Sequence, residues 1–142
     1  MDGYKLVTSV QNILGEIRDT FALFDDPLDR FTQLIDMGKS SQGLSDDFKI
    51  DVNIIKSCTS KAWMVISSPD SSVYSIKTDS ESHIVKGLLS ILEKIVESST
   101  RDDIMMLDGV QILDSIGLGK RITSQRTNGF IGAVEMLKRR IN

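Results

Sequence analysis

A short polar segment that contains the only cysteine of the chain separates two apolar runs, and this pattern constrains the fold more than any other feature. Apolar runs rich in β-branched and aromatic residues, interrupted by a few small polar residues, are typical of two strands joined by a turn. We therefore predict strands near residues 52–56 and 62–67. This arrangement would place Cys58 at or near the tip of the loop between them.

Helical spacing of apolar residues predicts helices on both sides of this strand region. A third strand is predicted at residues 73–78, after a turn at 69–71, and the apolar run 62–66 is predicted to be the central strand. This order of elements indicates an α+β fold, a small three-stranded antiparallel sheet packed with helices, in a single domain over residues 1–142. The predicted helices span about 5–24, 27–38, 79–98, 100–107, 110–116 and 123–141.

Composition excludes several classes of protein. A net charge of −3 does not favour nucleic acid as a partner, and no apolar run is long enough to cross a membrane. The first residues do not resemble a signal peptide, so we expect a cytoplasmic protein, or a plastid protein if a transit peptide has been removed. One cysteine and one histidine, among 142 residues, are too few for a disulfide, an iron–sulfur cluster or a structural zinc site on this chain alone.

The surroundings of Cys58 suggest a reactive thiol. Lys56 and Lys61 lie on either side of it in the sequence, and nearby cations favour the thiolate, which is the reactive form of cysteine. The alternative is a buried cysteine that acts as a small hydrophobic residue. Trp63 and Met64 follow the loop, and we expect them to pack beneath it and to shelter the thiol.

Four stretches of the chain resemble conserved motifs of the SufE-type sulfur-acceptor proteins of iron–sulfur cluster assembly. Residues 56–63 (KSCTSKAW) are similar to V-K-G-C-x-S-x-V-W, and residues 78–88 (TDSESHIVKGL) to A-D-S-D-x-x-I-V-K-G-L. Residues 122–130 (ITSQRTNGF) are similar to L-T-P-S-R-x-N-G-L, and residues 31–38 (FTQLIDMG) to Y-x-x-L-I-x-L-G. The four matches occur in the order and at the spacing of that family, around a single cysteine.

The resemblance implies a function for Cys58. Proteins of this family take the terminal sulfur of a persulfide from a pyridoxal-phosphate cysteine desulfurase, stimulate that enzyme and deliver the sulfur to an iron–sulfur scaffold complex. By the match, Cys58 is the persulfide acceptor, and the partner is a SufS-type or a CsdA-type desulfurase. The pyridoxal phosphate belongs to the partner, so no cofactor or metal is expected on this chain. The implied fold, similar to that of IscU-type scaffolds, agrees with the predicted α+β sheet.

The sequence departs from the family pattern beside the cysteine. Ser57 replaces a glycine, which would be strained if that position needed a positive φ, and Lys61 replaces a common glutamine. Supporting or partner-binding roles are predicted for Lys56, Ser57, Ser60, Lys61, Asp79 and Arg126. Of these, Asp79 is first expected to cap a helix, and Arg126, at the start of the last helix, is expected to have a partner such as Asp79 or the cysteine loop.

Other functions of a single thiol remain open from the residues alone. A thiol-based redox protein is one alternative, although the chain has no second cysteine to resolve an oxidised thiol. A cysteine hydrolase would need a histidine base, for which His83 is the sole candidate. The third alternative is an interaction module in which Cys58 is inert.

Overall fold

In the computed structural model, residues 2–56, 60–70, 73–97, 99–117 and 124–141 are described, with the backbone alone for 2–10, 69–70 and 124–126. Six helices and two strands follow one another in these ranges, together with two short 3-10 turns at Asp46–Phe48 and Asp51–Asn53. The helices are α1 (Asp2–Ala22), α2 (Pro27–Ser40), α3 (His83–Glu97), α4 (Arg101–Met105), α5 (Gly109–Ile116) and α6 (Ser124–Ile141), and the strands are β1 (Ala62–Asp70) and β2 (Val73–Ser80). The predicted α+β class is confirmed.

The predicted number of strands is wrong, because the described residues form a two-stranded antiparallel sheet and not a three-stranded one. Residues 51–53 form a 3-10 turn, and Ile54 makes a single antiparallel bridge with Trp63 of β1. The amide of Asn53, which would face β1 in a longer strand, donates instead to the carbonyl of Ile50 within the turn, at 2.9 Å. What was predicted as a strand at 52–56 is therefore one bridge that joins the chain to the outer edge of β1.

The core is built around α3, which contacts α1, α2, α6 and β2. The apolar stripe predicted for this helix is confirmed, since every apolar side chain from Leu88 to Leu92 is buried. Burial of a leucine or isoleucine side chain contributes about 1.5–3 kcal/mol, so this helix supplies a large share of the hydrophobic stabilisation. Fully buried side chains from the other elements include Phe21, Leu34, Met64, Ile104, Ile112 and Phe130.

Two glycines allow α2 and α3 to approach each other closely. A Cβ atom on Gly87 would clash with the carbonyl group of Leu34, whose carbon would lie 2.9 Å away, and a Cβ on Gly38 would lie 3.0 Å from the amide nitrogen of Gly87. Gly38 was predicted to end its helix, but α2 continues to Ser40. The reason for a glycine at this position is the helix crossing and not a helix end.

Several predicted helix boundaries are confirmed by their capping interactions. Pro27 occupies the first turn of α2, where the carboxylate of Asp26 accepts the amide of Leu28 at 2.9 Å. Gly117 follows α5 with φ 72°, a left-handed conformation that glycine adopts without strain. The predicted start of α3 at residue 79 or 80 is wrong, because both residues belong to β2 and the helix begins at His83.

Candidate functional site

The two ends of the loop that carries Cys58 are held by backbone hydrogen bonds. On one side of β1, the amide of Ile55 donates to the carbonyl of Ala62 at 2.9 Å. On the other side, the carbonyl of Lys61 accepts the amide of Glu81 at 3.0 Å and the hydroxyl of Ser80 at 3.0 Å. Ile55 and Ala62 are both buried. The residues that flank Cys58 in the sequence are therefore fixed on both sides at the start of β1.

Asp79 is a buried acidic residue that lies next to these hydrogen-bonded residues. It pairs with Trp63 in the sheet register, and the residue is only 7% exposed. Its carboxylate accepts the amide of Leu44 at 2.9 Å and the amide of Ser80 at 2.8 Å. The prediction that Asp79 caps a helix is wrong, because the carboxylate binds a preceding loop and its own strand instead.

Two lysines complete the surroundings of Asp79. Nζ of Lys49 lies 3.3 Å from Oδ2, and Nζ of Lys86 lies 3.4 Å from Oδ1. Burial alone would raise the pKa of Asp79, but the two backbone amides and the two ammonium groups outweigh it and lower that pKa below its ordinary value. Asp79 therefore carries a negative charge, almost fully buried and fully compensated, at neutral pH.

Lys49 links this carboxylate to the tryptophan that was predicted to lie beneath the cysteine loop. Its ammonium lies 5.2 Å from the centre of the Trp63 ring, within the range of a cation–π interaction. Trp63 is buried, which confirms its predicted place in the core. The chain before the loop, at Lys49, and the strand after it, at Trp63, are thus held against each other.

Exposed apolar side chains lie on the segment that leads into the loop, which we call the 48–52 segment. Phe48 and Ile50 are each 50% exposed, and Val52 is 60% exposed. The segment is well fixed: Nδ2 of Asn53 donates to the carbonyl of Phe48 at 2.8 Å, and the guanidinium of Arg140 donates to the carbonyl of Val52. Three apolar side chains within five residues are therefore exposed on a well-fixed backbone.

The structure brings together some of the predicted site residues and leaves others undescribed. Lys56 and Lys61 are exposed and Ser60 is half-buried at the ends of the loop. Cys58 and Ser57 lie outside the described residues. The sheltered thiol and the strained serine therefore stay predictions. Arg126 is in the first turn of α6, but its side chain lies outside the described part.

Lys49 and Lys86 are site residues that the sequence did not predict. Lys86 lies in the same motif as Asp79, at residues 78–88. The sequence therefore shows the spacing of the two residues but not that they form an ion pair. Lys49 follows a polar stretch with no motif, and only the folded chain shows that it reaches both Asp79 and Trp63. Among the described residues, no group of three or more histidine, cysteine, aspartate or glutamate side chains is arranged to hold a metal ion.

The sequence matches a known protein family over most of its length. The model of the SufE family, described as an Fe-S metabolism associated domain, matches residues 15–141. An uncharacterized SufE-like protein of Rhizobium etli is 31% identical over 128 residues, which cover 88% of this chain and 86% of that protein. The sulfur acceptor protein CsdE of Escherichia coli is 29% identical over 113 residues, which cover 80% and 77% of the two chains.

The fold is also found in a solved structure. The solution structure of a hypothetical protein from Thermus thermophilus superposes with a TM-score of 0.71 over 91% of this chain and 93% of that chain. Its sequence is only 12% identical, so the likeness concerns the fold alone. No described helix is both long enough and apolar enough to cross a membrane.

Proposed function

Because this chain belongs to the SufE family, we propose that it is a sulfur acceptor of iron–sulfur metabolism that carries persulfide sulfur on Cys58. The observation that supports this most strongly is the anchoring of the residues on both sides of Cys58. The only cysteine of the chain lies between Ile55 and Lys61, and both of these residues are bound to the start of β1 or the end of β2. A sulfur acceptor needs one nucleophile, on a short loop whose ends are fixed and which a partner can approach.

The proposed reaction is an exchange between a thiolate and a persulfide. The Cys58 thiolate attacks the outer sulfur of a persulfide on the partner's cysteine, a new S–S bond forms, and the partner's S–S bond breaks. The electron pair leaves with the partner's thiolate, and the proton of the Cys58 thiol has passed to solvent before the attack. No oxidant is consumed, and the sulfur stays at the same oxidation level as a persulfide on Cys58.

The partner that fits this chemistry is a cysteine desulfurase, which holds the pyridoxal phosphate. Removing the persulfide frees its cysteine for the next turnover, so an acceptor also stimulates the enzyme. Escherichia coli CsdE, 29% identical, is named a sulfur acceptor protein, which supports the same role here. The 48–52 segment gives the desulfurase an apolar surface next to the loop, and Lys56 and Lys61 add exposed cations at the loop ends.

Desulfurase turnover in the presence of this protein tests the proposal. We expect sulfide or alanine production by a SufS-type or CsdA-type enzyme, with cysteine as substrate, to rise on addition of the wild-type chain. Cys58→Ser removes the nucleophile with little change in volume and is expected to give no rise. Equal stimulation by both proteins would show that the chain binds the enzyme without accepting sulfur, and would contradict the carrier role.

A further inference from the structure

A groove on another part of the molecule lies between α2, the outer edge of β2 and α3. Its volume is about 610 Å³, similar to that of a site for a small ligand or a short peptide. Three consecutive residues of β2, Ser75 to Lys77, line it. Side chains alternate between the two faces of a strand, so a wall made by consecutive residues is the backbone edge of the strand and not one of its faces.

The hydrogen bonds of β2 show which backbone groups point into this groove. The amide of Glu81 bonds to Lys61 across the sheet, so odd-numbered residues direct their backbone groups towards β1 and even-numbered residues direct them away. The outward amide of Thr78 is taken by Oε1 of Glu93 at 3.2 Å, and the outward amide of Ser80 by Asp79. The outward amide and carbonyl of Ile76 bond to none of the described residues.

Among the described residues, the backbone groups of Ile76 are therefore unpaired at the outer edge of β2, whereas the amides of Thr78 and Ser80, which follow along the same edge, are bonded. Carboxylates that point inward are one way in which proteins prevent pairing along an exposed edge. Here the carboxylates of Glu93 and Asp79 occupy the outward amides at the end of β2. The backbone groups of Ile76 stay unpaired in the described part of the chain, although the residue as a whole is only 5% exposed. An extended backbone in the groove can exchange two hydrogen bonds with Ile76, as a strand does when it adds to a sheet.

The charges of the groove determine which extended segment fits. Glu93, Glu97 and Asp36 line it with Lys77 and Lys94, so acidic groups exceed basic ones. Glu93 forms no ion pair with a described residue, and burial, with the charges of Glu97 and Asp79, raises its pKa to about 6. The hydroxyl of Thr78 is buried and has no hydrogen-bond partner at ordinary distance and angle among the described residues. A cation beside Glu93 would compensate this half-buried charge.

We propose that this groove binds an extended segment of a partner polypeptide, which pairs with Ile76 and places an arginine or lysine against Glu93. The segment adds a strand to the free edge of β2, and hydroxyl and amide groups at the rim, among them Ser41 and Gln42, accept its polar side chains. The proposal is independent of sulfur transfer, since Cys58 takes no part in it.

The test is an NMR titration of the full-length, 15N-labelled protein with the capped peptide acetyl-Thr-Val-Arg-Val-Thr-amide. We expect shifts centred on Ser75, Ile76 and Lys77, slower exchange of the Ile76 amide, and a dissociation constant on the order of 1 mM. A peptide methylated on alternate backbone nitrogens is expected not to bind, because it cannot pair with the edge. A peptide with glutamate in place of arginine is expected not to bind either.

Two variants separate the ion pair from general electrostatics. Glu93→Gln keeps an oxygen for the amide of Thr78 but removes the charge, and we expect it to weaken binding about fivefold. Glu135→Gln removes a charge from the exposed face of α6 and is expected to leave the affinity unchanged. The proposal is overturned if shifts are absent at about 5 mM peptide, if the methylated peptide binds equally well, or if Glu93→Gln binds like wild type. Self-association of the free protein through residues 75–77 would also overturn it, because the occupant would then be a second copy of this chain.

Discussion

Oδ2 of Asp79 lies 3.3 Å from Nζ of Lys49, and the same ammonium lies 5.2 Å from the centre of the Trp63 ring. These contacts connect the last residues of β2, the segment before the Cys58 loop and the first residues of β1. The carboxylate of Asp79 also takes partners from the preceding stretch at Leu44, from its own strand at Ser80 and from α3 at Lys86.

Replacement of Asp79 is expected to destabilise the protein. Asp79→Ala leaves two backbone amides and two ammonium groups without their acceptor, and we expect a loss of about 2–4 kcal/mol in the free energy of unfolding, measured in urea. Asp102→Ala removes a highly exposed carboxylate that pairs with Arg101 and serves as the control, with an expected loss under about 1 kcal/mol. Equal losses in the two variants would contradict the role of Asp79.

Alanine at the helix crossing tests the close approach of α2 and α3. Gly87→Ala places a methyl group against the backbone of Leu34, and neither backbone can move without separating the helices. We expect a loss of at least about 2 kcal/mol, since overpacking against backbone is costly. Gly15→Ala is the matched control, because its nearest contact is the end of the flexible Arg18 side chain at 3.7 Å. There, alanine is expected to be neutral or stabilising by up to about 1 kcal/mol.

Glu93 predicts a pH dependence of stability. Its pKa is raised from 4.5 to about 6 in the folded chain, so the folded state binds a proton more tightly than the unfolded state does. The contribution of this group to stability is fully present below pH 4.5 and is lost as pH rises through about 6. Because Glu93 is partly exposed, we expect a loss of only about 1 kcal/mol after allowance for solvent screening.

The measurement for Glu93 is thermal unfolding of wild type and Glu93→Gln at several pH values between 4 and 7. The difference in stability between the two proteins is expected to shift in favour of Glu93→Gln as pH rises. Other titrating groups are common to both proteins and cancel in this difference. A difference that does not change with pH would show that Glu93 has an ordinary pKa.

The 48–52 segment is expected to contribute to desulfurase binding and not to folding. Phe48→Ser combined with Val52→Ser removes two exposed apolar side chains, and we expect at least a tenfold rise in the concentration that gives half-maximal stimulation. The unfolding free energy is expected to stay within about 0.5 kcal/mol of wild type.

Met106→Ser combined with Val110→Ser is the matched control, since Met106 is 81% exposed just after α4 and Val110 is 52% exposed on α5. It removes a comparable apolar area from another part of the surface. An equal effect of the two double variants on stimulation would mean that the 48–52 segment has no specific role.

Much of this fold follows from local patterns, because the signals for its helices are local. The apolar stripe of α3 and the Asp26–Pro27 start of α2 need only neighbouring residues, and both were predictable. The strand predicted at residues 52–56 was wrong, because Ile54 lies in an apolar run typical of a strand but the turn at residues 51–53 limits its pairing with β1 to one bridge. The site was predicted in part: Asp79 was found by its motif, while Lys49 depends on contacts between distant residues, which no spacing in the sequence reveals.

The central claim is that Cys58 receives sulfur, and intact mass measures this directly. The protein is mixed with an active desulfurase, pyridoxal phosphate and cysteine, beside Cys58→Ser under the same conditions. The account predicts a gain of one or more sulfur atoms that is reversed by a reductant and is absent in Cys58→Ser. An unchanged mass of the wild-type chain with both SufS-type and CsdA-type enzymes, while each enzyme turns over, would contradict it.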